Sequence, residues 1–149
     1  MAAHTARSSG AILILGADHF NEIIRGSKIG RALPERLAGH GEDLFVTIAI
    51  AEEQLRGWLA QIGRRRDLSG QTEAYRRLQE SIGAFANWRL LPFNDVAPAR
   101  LSQLRPNGVR IGSMDLSIAS IAIAYGATLL ARNTTDFGPL PGLWIEDRL

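Results

Sequence analysis

The feature that most constrains this chain is a short, unbroken apolar run at residues 11–15 (AILIL), with no polar side chain to turn toward water. A strand with one wet face alternates apolar and polar residues. A strand apolar on both sides is buried on both, as in a parallel sheet covered by helices. Such runs recur at 44–48 (LFVTI), 90–93 and 128–131, and 143–146 reads as a fifth strand at the edge. Between them the apolar residues take helical spacing. Phe20, Ile23 and Ile24 mark a helix over 18–26. Leu55, Trp58, Leu59 and Ile62 mark one over 51–62, and Tyr75, Leu78, Ile82 and Phe85 one over 69–88. Asn94 or Asp95 caps a short helix to Leu104. After a loop over 105–112, Ser113 caps a helix to Tyr125 that Gly126 stops. This alternation predicts an α/β fold, a three-layer α/β/α sandwich with a mostly parallel sheet of four to five strands.

At 149 residues the chain fits one domain, which the patterning places at 11–149. Residues 1–10 are small and polar and read as a flexible extension. They lack the long apolar stretch of a secretory signal. No apolar run approaches the roughly 20 residues needed to cross a membrane. With no cysteine, thiolate metal sites, disulfides and cysteine nucleophiles are excluded, and a cytoplasmic setting is expected. The formal net charge is +2, and Lys28 is the only lysine, so nearly every cation is an arginine. Arginine matches phosphate geometry through its planar fork. A modest cationic excess permits a nucleic-acid partner without demanding one.

In an open α/β sheet, ligands bind beyond the carboxyl ends of the strands. Asp18 follows the first strand, Glu52 and Glu53 follow the second, and Asn133 and Asp136 follow the fourth. Asp115 lies in the first turn of the helix before the fourth. Each has a plainer reading: Asp18 as a helix cap, Glu52 or Glu53 as an exposed first-turn acid, Asp115 as a partner of the helix amino end, Asp136 as a turn former. Together they supply acids from separate segments to one rim. Clustered carboxylates repel, and a bound cation is the usual reason they persist. All-oxygen ligands suit Mg²⁺ or Mn²⁺.

Residues 111–137, IGSMDLSIASIAIAYGATLLARNTTDF, closely resemble the carboxyl-terminal signature of VapC-like PIN-domain toxins. There an Asp opens an Ala-rich helix, and the next strand ends in an Arg-Asn or Arg-Asp pair. Residues 47–57, TIAIAEEQLRG, resemble the family's second motif, whose Glu stands four residues before a Gly and so selects Glu53 over Glu52. The final PGLWIEDRL resembles the family's last strand. The resemblance implies a Mg²⁺-dependent endoribonuclease of a toxin–antitoxin system. It implies a homodimer neutralised by a cognate antitoxin that reaches into the acidic groove, and an RNA substrate. Asp115, Glu53, Asp18 and Asp136 are the metal candidates, with Asn133 also in the catalytic set. Arg110 and Arg132 flank the groove as candidates for phosphate contact.

One departure bears on activity. The family's first strand ends in Asp-Thr-Asp-His or similar, whereas here the stretch is Gly16-Ala17-Asp18-His19. Gly16 occupies the place of a principal ligand and has no side chain to offer. Asp18 points to the same side but lies about 6–7 Å further along an extended backbone. The expectation is a weakened nuclease or, alternatively, a catalytically inactive PIN domain that binds RNA or an antitoxin without cleavage. A phospho-receiver domain, which wants a lysine after a late strand, is disfavoured because Lys28 comes far too early. The run Arg64-Arg65-Arg66 reads first as a solvated helix end. His19 reads as a residue packing locally at a helix start, and Trp58, Tyr75 and Phe85 as packing or dimer residues.

Overall fold

The computed structural model describes residues 12–38, 43–104, 112–132, 134–137 and 140–149. Five strands form one sheet in the order β3-β2-β1-β4-β5. They are β1 (Ile12–Leu15), β2 (Asp43–Thr47), β3 (Leu90–Leu91), β4 (Thr128–Leu130) and β5 (Trp144–Glu146). Every pairing is parallel, as the apolar runs require, and β1 lies at the centre with Ile14 opposite Phe45 on one side and Leu129 on the other. Leu13, Ile14, Leu15, Leu129 and Leu130 are wholly buried.

Among the described residues, seven helices connect the strands: α1 (Ala17–Arg25), α2 (Lys28–Ala38), α3 (Ile48–Arg64), α4 (Leu68–Ala86), α5 (Ala97–Leu104), α6 (Ser113–Tyr125) and α7 (Thr134–Phe137). Parallel strands are joined by right-handed crossovers. Moving from β1 through β2 to β3 therefore places α1–α4 on one face, and the return to β4 places α5 and α6 on the other. Phe20 of α1 stacks on Phe85 of α4 at 5.5 Å between centroids and meets Trp88 edge-on at 5.7 Å. Of the two readings of Phe85, packing or dimer contact, the structure supports packing, since it is buried. Tyr75 remains more than half exposed.

Two helices go beyond the sequence reading. In α2, Pro34 and Gly30 weaken the helical signal. It forms because Ser27 accepts a hydrogen bond from the Gly30 N–H at 3.0 Å and the helix buries Leu33 and Leu37. Gly30 is required by close approach: a Cβ there would lie 1.9 Å from the Glu22 carbonyl oxygen. The short α7 replaces the turn expected around Asp136.

Helix α6 is the core helix. Six of its residues, Leu116, Ile118, Ala119, Ser120, Ile121 and Ala122, are buried, and a helix apolar all round must be. Its one buried hydroxyl, on Ser120, donates to the Leu116 carbonyl at 2.7 Å. Gly126 ends it in the left-handed conformation (φ 63°), as expected of the glycine stop. The amino end differs from expectation: Gly112 is the N-cap, with no side-chain cap, and Ser113 is already helical.

Candidate functional site

The strand order reverses direction between β1 and β4, so the rim above these two strands is where an open α/β sheet places its crevice. Here that position is closed. The Gly16 N–H donates to the Leu130 carbonyl at 2.7 Å. A Cβ added at Gly16 would lie 2.7 Å from the same oxygen, a backbone atom that cannot swing aside. Gly16 is therefore more than a missing carboxylate, because the backbone has closed around the space a side chain would need.

Asp18, in the first turn of α1, is bound into the same closure. Its Oδ1 accepts the His19 backbone N–H at 2.8 Å and faces His19 Nδ1 at 3.1 Å. Its Oδ2 accepts the Arg132 backbone N–H, just past β4, at 2.8 Å. Partial burial alone would raise the Asp18 pKa. The bonds from the His19 ring and from the Arg132 and His19 backbones outweigh it and hold the carboxyl below the usual aspartate range. His19 is wholly buried, and its Nε2 lies 3.2 Å from the backbone N–H of Arg148, after β5. Asp147 Oδ1 also lies 3.5 Å from Nε2, so both ring nitrogens have neighbours. His19 thus packs at the helix start as expected, and also makes a contact 129 residues away that sequence spacing does not disclose.

Arg132 is half exposed, with Nη2 3.9 Å from Glu22 Oε1. Glu22 accepts the Ser27 hydroxyl at 2.6 Å. That bond foremost, with the charges of Arg25 and Arg132, holds the Glu22 carboxyl below its ordinary range. Glu22 carries no motif and was not legible as part of this rim.

The acids after β2 and before β4 lie in a different setting. Thr47 ends β2 and caps α3, accepting from Ile50 N–H at 3.4 Å. Glu52 and Glu53 follow on the next turn, both exposed, with Glu52 paired to Arg56. The first turns of α3 and α6 line a groove of about 390 Å³ with Phe93, just past β3. Ile48, Ala49, Glu52 and Glu53 come from one side, and Ser113, Met114 and Ser117 from the other. Asp115 is half-buried in that same turn of α6. Next to Glu53, Gln54 donates to Asn21 of α1 at 3.2 Å, which ties the turn bearing Glu53 to the helix bearing Asp18. Sequence reading also passed over Phe93 and Met114, the apolar wall beside the acids.

Asn133 and Arg110 lie outside the described residues, and so does the Asp136 side chain; the Asp136 backbone is on α7. Among the described residues, no three His, Asp or Glu side chains converge closely enough to hold a metal ion. The described donors are hard oxygens, the right class for Mg²⁺ or Mn²⁺. Of the carboxylates at this rim, Asp18 is engaged through both oxygens, while Glu53 is exposed on the groove wall. No described helix is long and apolar enough to cross a membrane.

No protein-family model and no curated protein matches the chain. Solved structures do. A VapBC2 complex from Rickettsia felis, bound to a DNA fragment from its promoter, contains a chain 23% identical with a TM-score of 0.70, covering 93% of this chain and 99% of that one. DNA-bound VapBC from Salmonella typhimurium matches at 19% identity and TM-score 0.70, over 92% and 98%. FitAcB from Neisseria gonorrhoeae matches at 22% and 0.64, over 91% and 96%. The chain therefore has the fold of chains in VapBC toxin–antitoxin structures, along nearly its whole length.

Proposed function

We propose that this chain is a PIN-type endoribonuclease of the toxin–antitoxin kind, attenuated because Gly16 stands where the first aspartate would be. The observation that supports the proposal is the groove between the starts of α3 and α6, which Glu53 lines and whose α6 wall, Ser113 and Met114, belongs to the turn that carries Asp115. These two acids would hold Mg²⁺ or Mn²⁺, an ion often bound by one or two carboxylates with waters and substrate phosphate completing its shell. Such an ion supplies charge stabilisation to a transferring phosphoryl group and a more acidic bound water. Arg132, half exposed and restrained by Glu22, contacts a phosphate of the RNA, and Arg110 belongs to the same set. Asn133 and Asp136, after β4, complete the acid side. The partners are single-stranded RNA, a cognate antitoxin and a second copy of the chain, in the cytoplasm.

A second reading, a domain that binds RNA or antitoxin without cutting, is favoured by one observation: the backbone has closed over Gly16. A single experiment separates the two. Labelled single-stranded RNA is incubated with the protein in Mn²⁺ or Mg²⁺, or in EDTA. The nuclease reading expects slow, metal-dependent cleavage that Asp115→Asn abolishes. It also expects a rise of about tenfold in Gly16→Asp, about 1.4 kcal/mol of transition-state stabilisation. Brisk cleavage in EDTA sinks the metal role. RNA binding without cleavage in both the protein and Gly16→Asp establishes the second reading.

A further inference from the structure

His19 is wholly buried, yet the proposed chemistry gives it no task. Its two ring nitrogens face different parts of the chain. Nδ1 meets Asp18 Oδ1 at 3.1 Å, and Nε2 accepts the Arg148 N–H at 3.2 Å. Asp18 in turn holds the Arg132 N–H through its other oxygen at 2.8 Å. The result is a continuous chain of bonds running Arg148 N–H, His19 ring, Asp18 carboxylate, Arg132 N–H. It crosses the start of α1 and links the segment after β5 to the segment after β4. A neighbouring rung runs parallel to it, the Ala131 N–H donating to the Glu146 carbonyl at 2.9 Å.

We propose that Asp18 and His19 form a strut that transmits the position of the segment after β5 to Arg132, so that Asp18 is a positioning residue and not a metal ligand. The physical reason lies in the geometry of each member. A buried imidazole held at both ring nitrogens, by Asp18 on one side and by the Arg148 N–H with Asp147 nearby on the other, has a single orientation. A carboxylate bonded through both oxygens cannot rotate without breaking one of those bonds. Arg132 N–H is thereby fixed, and with it the direction in which the Arg132 side chain leaves the rim. The consequence for RNA rests on the assignment of Arg132 to phosphate contact; the strut itself does not.

The strut can be cut at either end. Arg148→Pro deletes the N–H that His19 accepts. Arg148→Ala keeps that N–H and removes the guanidinium, with its pairing to Glu146. His19→Gln cuts the other end, because its amide oxygen reaches the Arg148 N–H while the donor toward Asp18 is lost. Amide hydrogen exchange is measured residue by residue, with the β1 amides of Ile14 and Leu15 as the reference for global stability. Exchange at the Arg132 amide should rise about tenfold in Arg148→Pro and His19→Gln, and stay within about twofold in Arg148→Ala, as expected for a local opening that leaves the core closed. Equal exchange at Arg132 in Arg148→Pro and Arg148→Ala overturns the strut. So does an unchanged Arg132 amide in His19→Gln. Affinity for a fluorescein-labelled single-stranded RNA, measured in EDTA, should fall further in Arg148→Pro than in Arg148→Ala. If neither the parent protein nor any variant binds RNA in EDTA, the assignment of Arg132 to phosphate contact fails, while the exchange contrast still decides the strut.

Discussion

The two halves of the carboxyl rim are built differently. Over β1 and β4 the backbone is drawn together, with Gly16 bonded to Leu130 at 2.7 Å and Asp18 to Arg132 at 2.8 Å. Over β2 and β3 the first turns of α3 and α6 leave a groove, and Glu52 and Glu53 are exposed there. Both halves carry acids, and their surroundings separate the roles. Where parallel strands end side by side, N–H groups past the last ladder bond are left without a strand partner, and Asp18 accepts one of them, from Arg132. Where helices from opposite faces begin over one edge, they leave a gap, and Glu53 stands exposed on its wall. An acid after a strand is therefore a ligand candidate only once the backbone around it has its own partners.

That contrast predicts opposite signatures for substitutions in the two halves. The largest effect belongs to the open half. Glu53→Gln should lower metal-dependent RNA cleavage by about a hundredfold, the scale of a reacting group misplaced by about 1 Å. Its thermal midpoint should stay near the parent's, because exposed sites rarely move stability by more than about 0.5 kcal/mol. A large fall in stability would break the comparison. Next comes the closed half. Gly16→Ala should cost about 1–3 kcal/mol, the usual penalty of a methyl forced into filled space, here against the Leu130 carbonyl. Denaturant titration of Gly16→Ala and Gly16→Asp should show a shared loss of stability, with any gain in cleavage confined to the aspartate. An undiminished Gly16→Ala would show that the rim opens freely.

The smallest effect is a pH dependence. Asp18 has a folded-state pKa below its unfolded value, so its bonds contribute stability that is complete above the usual aspartate range and is lost as pH falls through the lowered value. With a third of its side chain exposed, the contribution should be under about 1 kcal/mol. Asp18→Asn should flatten the acid limb of the stability curve by that amount, measured by thermal melts on either side of it. An unchanged acid limb would remove Asp18 from the closed half.

Much of the fold was legible because strands buried on both sides leave a plain mark. The run AILIL announced a strand buried on both sides, and Gly126 announced the end of α6; that the strand is central and the helix lies in the core came from the structure. The α2 helix was not legible, because its stability comes from Leu33 and Leu37 packing beneath it and from the Ser27 cap, neither of which has a strong period. At the rim, motif spacing selected Glu53 and Asp115 and flagged Gly16 as a departure. It did not separate Asp18 from them, since all three follow the same positional rule.

By itself the sequence determined the layers, the parallel sheet and the segments that deliver acids to its carboxyl edge. These follow from period and chain order, which are properties of neighbours along the chain. Only the tertiary structure decided which acid is occupied. That depends on whether a backbone N–H from a distant segment arrives within hydrogen-bonding distance. Arg132 reaches Asp18 across 114 residues, and Arg148 reaches His19 across 129. Such meetings are set by strand order and register, and no local pattern carries them.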